Sequence, residues 1–192
     1  MLTDLIRPLG RTLRPIRPGI EALASSRLAG VVPSTIEVSS PAFADGGAIP
    51  ERYTQYGIGL FPQIGWTGLP AHTLSVVLLV EDADIPFFRP AVHLIVHTIP
   101  PALGGLGEGE VPFRLTGRAP RGWGCGRNFL ARPGWTAPAP PPGHGPHRYA
   151  FQVFALNGVP RFRHPPGRAV LLAGIRPYMV AQGRLIGTYE RV

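Results

Sequence analysis

Two histidines that border apolar, strand-like stretches are the side chains of this sequence whose types and spacing best suit chemistry. His93 lies inside the first stretch and His147 begins the second. Asp82 and Asp84 precede the first stretch, and a proline-rich loop at residues 135–142 precedes the second. Carboxylates orient imidazoles and imidazole N–H groups bind anions, so these groups make a small polar pocket if the strands bring them together. We therefore expect the function to reside in such a pocket.

The acidic segment carries two carboxylates with the spacing of extended backbone. Asp82 and Asp84 are two residues apart, so both side chains point the same way in an extended turn. We expect one carboxylate to hold a histidine in a fixed tautomer and the other to cap the turn. The segment ends at Ile85–Pro86, a bond that the sequence marks as a candidate for the cis form.

The period of a β-strand predicts which of the other polar side chains share a face. His147 and Tyr149 are two residues apart, so they are expected on one face. His93 and His97 are four apart, and the same rule places them together. Each histidine taken alone is better explained as a hydrogen-bonded core residue. Their combination with the acidic turn and the proline loop favours a binding site.

The composition favours one domain of short strands joined by many turns. The chain has 192 residues, of which 25 are glycine and 24 are proline, too many for a helical protein. Its hydrophobic fraction of 44% and charged fraction of 16% are those of a globular protein. A single cysteine, Cys125, excludes an internal disulfide and a multi-cysteine metal site. We expect a reducing, cytoplasmic location and no cofactor.

The charge distribution points to anionic partners. The formal net charge is +8, and all 19 basic residues are arginine, which a GC-rich coding bias explains more simply than selection for guanidinium chemistry. After Glu110 the only acidic residue is Glu190. Such a field attracts phosphates, anionic lipid headgroups or nucleic acid. Because no recognition helix, zinc-finger spacing or RNA-binding motif accompanies the charge, we expect no specific nucleic-acid partner.

Residues 1–30 form a basic N-terminal arm, and residues 31–192 are predicted to form the folded domain. Apolar residues recur in the arm at spacings of four and three, with arginines between them: Leu2, Ile6, Leu9, Leu13, Ile16 and Ile20. This pattern fits a helix on a membrane surface or an arm packed on the domain, and three prolines at 8, 15 and 18 favour the packed arm. The absence of 18 consecutive apolar residues excludes a transmembrane span.

Periodicity places the secondary structure only coarsely. Apolar runs predict strands at residues 36–38, 74–80, 92–99 and 149–156. Residues 104–145 are rich in glycine, proline and arginine, and a loop of that length is usually functional. Apolar positions from Arg168 to Leu185 predict a helix that Pro177 weakens, followed by a short closing strand at 187–191.

Five motifs follow one another along the chain. They are Ser39 to Pro50, Trp66 to Ser75 as W-x-G-x-P-x-x-T-x-S, Asp82 to Pro86 as D-x-D-x-P, His93 to Pro100, and Gly134 to Pro141 followed by His147-Arg148-Tyr149. In these motifs and their order the sequence resembles the phosphatidylethanolamine-binding protein family, in its bacterial Raf-kinase-inhibitor-like branch. The resemblance covers residues 34–192, and the ending Gly187 to Arg191 also fits.

The resemblance implies a mainly β fold, a Greek-key β-sandwich with a few peripheral helices and an anion pocket at one end. It implies that Asp82, His93 and His147 bind phosphate-type groups. Arg148 points to the opposite face and is interpreted as structural. The walls of the pocket carried over from the family pattern are Pro86, Ala139, Pro140, Pro141 and Tyr149.

Four positions depart from the family pattern at or near this pocket. Ala83 replaces a proline inside the acidic turn, so the turn is expected to be less rigid. Gly59 and Phe61 replace a polar asparagine and serine. Ala137 replaces the glycine before the proline loop, where the backbone is expected to shift.

Three functions fit these residues. The favoured one is a non-enzymatic binding or modulator protein for phosphorylated small molecules, lipid headgroups or phosphorylated peptides, with a kinase or a protease as a protein partner. The second is a hydrolase that uses Asp82, His93 and His147, although no H-E-x-x-H, H-x-x-E-H or G-x-S-x-G motif supports it. The third is an interaction protein with a vestigial pocket, whose arginine-rich face contacts a partner or a membrane.

Overall fold

The structure is a computed structural model that describes residues 2–115 and 119–191, with the side chains of residues 2–6 outside the described part. Leu2 and Ile6, two residues of the predicted apolar stripe, are among those side chains. The helices are α1 (Leu2–Leu13), α2 (Ala24–Arg27) and α3 (Arg168–Ile175). The strands are β1 (Glu37–Ser39), β2 (Ile64–Thr67), β3 (Ser75–Asp82), β4 (Ala91–Ile99), β5 (Gly105–Leu106), β6 (Gly124–Cys125), β7 (His147–Leu156) and β8 (Met179–Tyr189). Within the described ranges, no helix is long and apolar enough to cross a membrane.

Two antiparallel sheets enclose the main core. The smaller sheet has the order β1-β2-β5, and the larger one has the order β6-β4-β3-β7-β8. Trp66 of the smaller sheet packs in one buried cluster with Leu78 and Phe151 of the larger sheet. The apolar runs form strands because alternate side chains face this core and the opposite face of the larger sheet is buried as well. The prediction of a mainly β sandwich with a few peripheral helices is confirmed.

The outer face of the larger sheet is covered by α3 and by the end of the N-terminal arm. Leu171 and Ile175 of α3 and Ala24 of α2 pack there against β3 and β7. The fully buried Glu81 of β3 fixes this layer, because its carboxylate accepts from the backbone N–H of Ala24 at 3.0 Å and from Arg168 Nε at 2.5 Å. A buried carboxylate near the end of an apolar strand therefore holds the arm and α3 to the sheet.

The C-terminal segment corrects one expectation. The helix predicted to reach Leu185 ends at Ile175, a single 3₁₀ turn follows, and β8 runs for 11 residues from Met179 to Tyr189. Pro177 ends the helix, as its missing N–H dictates. The prediction of helix beyond that point was wrong because β8 pairs with β7 along almost its whole length, from Leu156–Met179 to His147–Tyr189, with one irregularity beside Leu156. Long-range pairing outweighs local propensity here.

Candidate functional site

A cavity of about 200 Å³ lies where β3 ends and β7 begins. All eight residues that the sequence analysis assigned to the pocket line it: Asp82, Pro86, His93, Ala139, Pro140, Pro141, His147 and Tyr149. Gln55, Ile85, Phe87, Phe129 and Ala137 complete the wall and were not assigned from sequence. The antiparallel pairing of Asp82 with Tyr149 and with Ala91 brings the acidic turn, the first histidine and the second histidine to one edge of the sheet.

A β-bulge in β4 turns His93 into this cavity. The pairing of β3 with β4 is irregular between Val80 and Glu81, opposite residues 92–94. The bulge breaks the strict alternation of the strand, so that His93 faces the side of Tyr149 and Trp135. His97 lies on the other face against the ring of Phe162, with 4.9 Å between ring centroids. The prediction that His93 and His97 share a face was therefore wrong.

His93 is held as a neutral imidazole. Its Nδ1–H donates to the carbonyl oxygen of Thr136 at 2.6 Å. Burial lowers the pKa of His93 and the charge of His147 lowers it further, which outweighs the raising effects of Asp82 and the Thr136 carbonyl. Because Nδ1 carries the proton, Nε2 is the nitrogen that remains for a ligand, and it accepts a hydrogen bond until it takes up a proton.

The two carboxylates of the acidic turn have separate partners. Asp82 Oδ2 accepts from His147 Nδ1 at 2.7 Å, and Asp82 Oδ1 accepts from the backbone N–H of Asp84 at 2.8 Å. Asp84 turns instead to Arg148, whose Nε lies 2.7 Å from Asp84 Oδ2. The prediction that one carboxylate holds a histidine is confirmed, and Arg148 is structural as expected. The predicted cis form at Pro86 was wrong, since the preceding bond is trans.

His144 is a member of the site that the sequence analysis missed. His144 is completely buried, and its Nδ1 lies 2.8 Å from Nε2 of His147. Its Nε2–H donates to the carbonyl oxygen of Leu13, at the end of α1, at 3.0 Å. Arg17 of the arm contacts the His144 carbonyl oxygen as well. The spacing His-x-x-His at residues 144–147 was the available signal in the sequence.

The hydrogen-bond chain from Asp82 to Leu13 assigns the protons of both histidines. The Leu13 carbonyl accepts the Nε2–H of His144, so the Nδ1 of a neutral His144 is an acceptor. Burial lowers the pKa of His144, which keeps that ring neutral. His147 must then donate from Nε2 to His144, and one proton is shared between its Nδ1 and Asp82 Oδ2. The pair of Asp82 and His147 as a whole therefore adds no net charge to the cavity.

Tyr149 supplies a hydrogen-bond donor to the cavity. Its side chain is fully buried, the backbone N–H of Ala139 lies beside its Oη, and its O–H has no acceptor among the residues that the structure describes. Burial raises the pKa of Tyr149 well above its usual value, and the negative charge of Asp82 adds to that effect. The phenol therefore stays protonated at every physiological pH, and its O–H is available to an acceptor atom of a ligand.

The departures from the family pattern are accommodated by the local backbone. Ala83 donates its backbone N–H to the carbonyl oxygen of Arg148 at 2.9 Å, a bond that a proline at this position could not make. Gly59 has a φ of 70°, in the left-handed region that glycine and asparagine tolerate best. Phe61 is buried with its ring edge-on to Trp135, 5.5 Å between centroids. Ala137 has no positive φ and needs no glycine.

The donor set of the cavity does not resemble a metal site. Across residues 2–115 and 119–191, no group of three histidine, cysteine, aspartate or glutamate side chains is arranged to hold a metal ion. Both ring nitrogens of His147 are used by Asp82 and His144, which leaves neither as a ligand. The arrangement offers one O–H donor and one titratable imidazole nitrogen, which suits the recognition of an oxyanion.

Comparisons with known proteins agree with this architecture. Residues 39–190 match the family model described as phosphatidylethanolamine-binding protein. A UPF0098 protein of Mycobacterium tuberculosis is 35% identical over 181 residues, covering 94% of this chain and 83% of its own. A UPF0098 protein of Aquifex aeolicus is 38% identical over 160 residues, covering 81% of this chain and 89% of its own.

Two crystal structures share the fold. The first is a phosphatidylethanolamine-binding protein homologue from Chlamydia trachomatis, with a TM-score of 0.73, 29% identity, and coverage of 83% of this chain and 99% of that one. The second is Escherichia coli YbcL, with a TM-score of 0.75, 24% identity, and coverage of 83% of this chain and all of that one. At that identity the likeness to YbcL supports the fold alone.

Proposed function

The chain belongs to the phosphatidylethanolamine-binding protein family, and on that premise we propose that it is a non-enzymatic binding protein for phosphorylated ligands. The observation that carries this proposal is the convergence of the Tyr149 O–H and the His93 imidazole on one small cavity with rigid proline walls. A volume of about 200 Å³ suits a phosphate group with a short substituent and is below that of drug-sized ligand sites. Proline walls lose little conformational entropy when a ligand binds.

The charges around the cavity determine whether a proton is taken up when an anion binds. The pair of Asp82 and His147 is neutral as a whole, and His93 is uncharged, so an anion enters a cavity without net positive charge. A proton taken up at His93 Nε2 would turn that acceptor into a charged donor toward the anion. Binding of an oxyanion is therefore proposed to be coupled to the uptake of one proton.

The rim of the cavity suggests that the ligand has an apolar part. Phe87 and Phe129 line the opening and are 65% and 45% exposed, and the neighbouring Phe88 is 92% exposed. Exposed aromatic side chains beside a polar cavity suit a ligand whose phosphate enters and whose apolar portion stays outside. A phospholipid, with its headgroup phosphate and acyl chains, combines a phosphate with an apolar part. So does a phosphorylated peptide of a partner such as a kinase or a protease.

Replacing Phe87 and Phe88 together with serine should weaken binding of a short-chain phosphatidylethanolamine and leave phosphoethanolamine binding unchanged. The reason is that only the lipid buries acyl chains against the rim, and burial of one phenylalanine contributes about 1.5–3 kcal/mol. Calorimetric titration with both ligands measures the difference. Leu74→Ser is the matched control, because Leu74 is 59% exposed at the opposite end of β3. Equal losses for both ligands would contradict a role of the rim in holding the apolar part.

The proposal is tested by titrating phosphoethanolamine while following the imidazole signals of His93 and His147 by NMR. We expect saturable shifts in the wild type and, in Tyr149→Phe, an affinity lower by about fivefold to tenfold, the effect of one hydrogen bond. Tyr178→Phe, which removes a hydroxyl from an exposed tyrosine, is the control. His147→Ala should abolish binding because it leaves the negative charge of Asp82 unpaired beside the anion. An unpaired buried carboxylate also weakens the fold, so the folding of this variant is checked first. Absence of imidazole shifts at millimolar ligand would overturn the proposal.

A further inference from the structure

A basic groove lies beside the cavity, between α1 and the turn at residues 143–145. The groove has a volume of about 240 Å³. Its lining residues are Arg7, Arg11, Arg14, Gly143, Glu190 and Arg191. Three of the arginines come from the N-terminal arm, which precedes the residues matched by the family model. The groove therefore combines a segment outside the matched range with Gly143 and Glu190 inside it.

The spacing of the arm arginines concentrates positive charge on the groove. Arg7 and Arg11 are four residues apart and lie on one face of α1, and Arg14, in the turn that follows the helix, lines the same groove. With Arg191 they place four guanidinium groups around a groove in which Glu190 is the one carboxylate among the lining residues that the structure describes. Like charges four residues apart repel one another across a helix face. A bound anion would relieve that repulsion, and guanidinium groups match the oxygens of a phosphate in pairs.

Contacts with the protein hold the walls of the groove in place. Arg14 Nε donates to the carbonyl oxygen of Gly143 at 2.8 Å, and the guanidinium of Arg191 lies 4.6 Å from the ring centroid of Tyr56. The backbones of α1 and the turn lie close together. A Cβ atom at Gly10 would overlap the carbonyl oxygen of Pro142. Gly143 has a φ of 79° at the same seam. A site with fixed walls needs little reorganisation when a ligand arrives.

The groove and the cavity are neighbours along the chain. Pro141 lines the cavity and Gly143, two residues later, lines the groove. On the other side, Gln55 lines the cavity and the adjacent Tyr56 stacks with Arg191. We propose that the groove binds a phosphate group, as a second anion site that the arm adds to the domain. The phosphate belongs either to a free phosphorylated molecule or to a lipid headgroup.

The test compares two double variants that remove the same charge. The groove variant, Arg7→Ala with Arg11→Ala, removes two guanidinium groups from the groove. The control variant, Arg161→Ala with Arg163→Ala, removes two exposed arginines outside it. Inorganic phosphate is titrated at low ionic strength by calorimetry, with the Tyr149→Phe substitution in every chain to weaken the cavity. We expect the groove variant to lose affinity by about tenfold or more, while the control stays within about twofold of its parent.

Two results would overturn the proposal. The first is an equal loss of affinity in both double variants, which would mean that phosphate responds to the diffuse charge of the protein. The second is the absence of saturable phosphate binding in the Tyr149→Phe parent. Because the cavity is weakened in all these chains, a failure at the groove is distinguishable from a failure of the proposed function.

The source of the phosphate is separated by a vesicle experiment with the same chains. Co-sedimentation with phosphatidylcholine vesicles that contain phosphatidic acid, compared with pure phosphatidylcholine, reports binding of a lipid phosphate. Binding that requires phosphatidic acid and Arg7 and Arg11 would assign the site to a membrane surface. Phosphate binding by the groove without vesicle binding would assign it to a free phosphorylated molecule. Vesicle binding that survives the groove variant would contradict a lipid site in this groove.

Discussion

Replacing Asp84 with alanine is expected to destabilise the fold by about 2–4 kcal/mol, one of the largest effects available at the end of the sandwich. Asp84 is fully buried and accepts from Arg148 through the backbone N–H at 2.8 Å, Nε at 2.7 Å and Nη2 at 2.6 Å. Arg17 of the arm adds an ion pair at 3.3 Å. This loss of stability is smaller than the loss for a fully buried pair, because the Arg148 side chain is 37% exposed and water can solvate it once Asp84 is removed.

The measurement is the free energy of unfolding in urea, with Glu37→Ala as control. Glu37 is an exposed carboxylate on β1, so its removal should change stability by no more than about 0.5 kcal/mol. A loss at Asp84 as small as that of the control would show that the network contributes nothing. Because Arg17 also contacts Asp84, the variant should in addition speed hydrogen exchange at the junction of the arm.

The contribution of Asp84 also has a defined pH dependence. Burial alone would raise the pKa of Asp84, but the hydrogen bonds and charge of Arg148, with the charge of Arg17, hold it below its usual value of 3.8. A carboxyl whose pKa is lower in the folded state stabilises the fold above the unfolded value and loses that effect as the pH falls through the folded value. The stability gap between the wild type and Asp84→Ala should therefore be constant at neutral pH and shrink below 3.8. A gap that persists in acid would contradict an electrostatic origin.

The sequence was sufficient for the central strands because their apolar runs are long and continuous. The runs predicted at 74–80, 92–99 and 149–156 correspond to β3, β4 and β7 within one or two residues. The C-terminal segment was mispredicted because residues 179–185 carry too few strand-forming side chains to reveal their pairing with β7. A strand whose stability comes from a partner distant in sequence leaves only a weak local pattern.

The sequence predicted which residues line the candidate site better than it predicted which way their side chains point. The eight residues assigned from the motifs all line the cavity, because residues at the ends of paired strands are brought to one edge of the sheet. The face of His93 depended on a β-bulge, which shifts the alternation by one residue and leaves no trace in the spacing. His144 was missed because its role depends on the docking of the arm, with Leu13 and Arg17 brought together by tertiary contacts.

The affinity of the cavity for sulfate should increase as the pH falls, by up to about tenfold per pH unit, if one proton is taken up on binding. Sulfate is the suitable probe because its own charge does not change near neutral pH. His93 is the group whose protonation is expected, since burial lowers its pKa below 6.5 in the free protein and an adjacent anion would raise it. The affinity for sulfate should therefore change in the pH range between the pKa of His93 in the complex and its lower pKa in the free protein. Calorimetric titrations in buffers of different ionisation enthalpy would count the proton directly.

His93→Asn is the matched variant for this experiment. An asparagine amide at this position can still donate to the Thr136 carbonyl oxygen, as Nδ1–H of the imidazole does at 2.6 Å, but it takes up no proton. The variant should bind sulfate with an affinity that is weaker in acid than that of the wild type and nearly independent of pH. His147 keeps its place between Asp82 and His144 in this variant. A pH dependence that remains would therefore be due to these three residues. The proton taken up by the complex would then belong to the Asp82–His147–His144 chain, and His93 would act as a neutral acceptor.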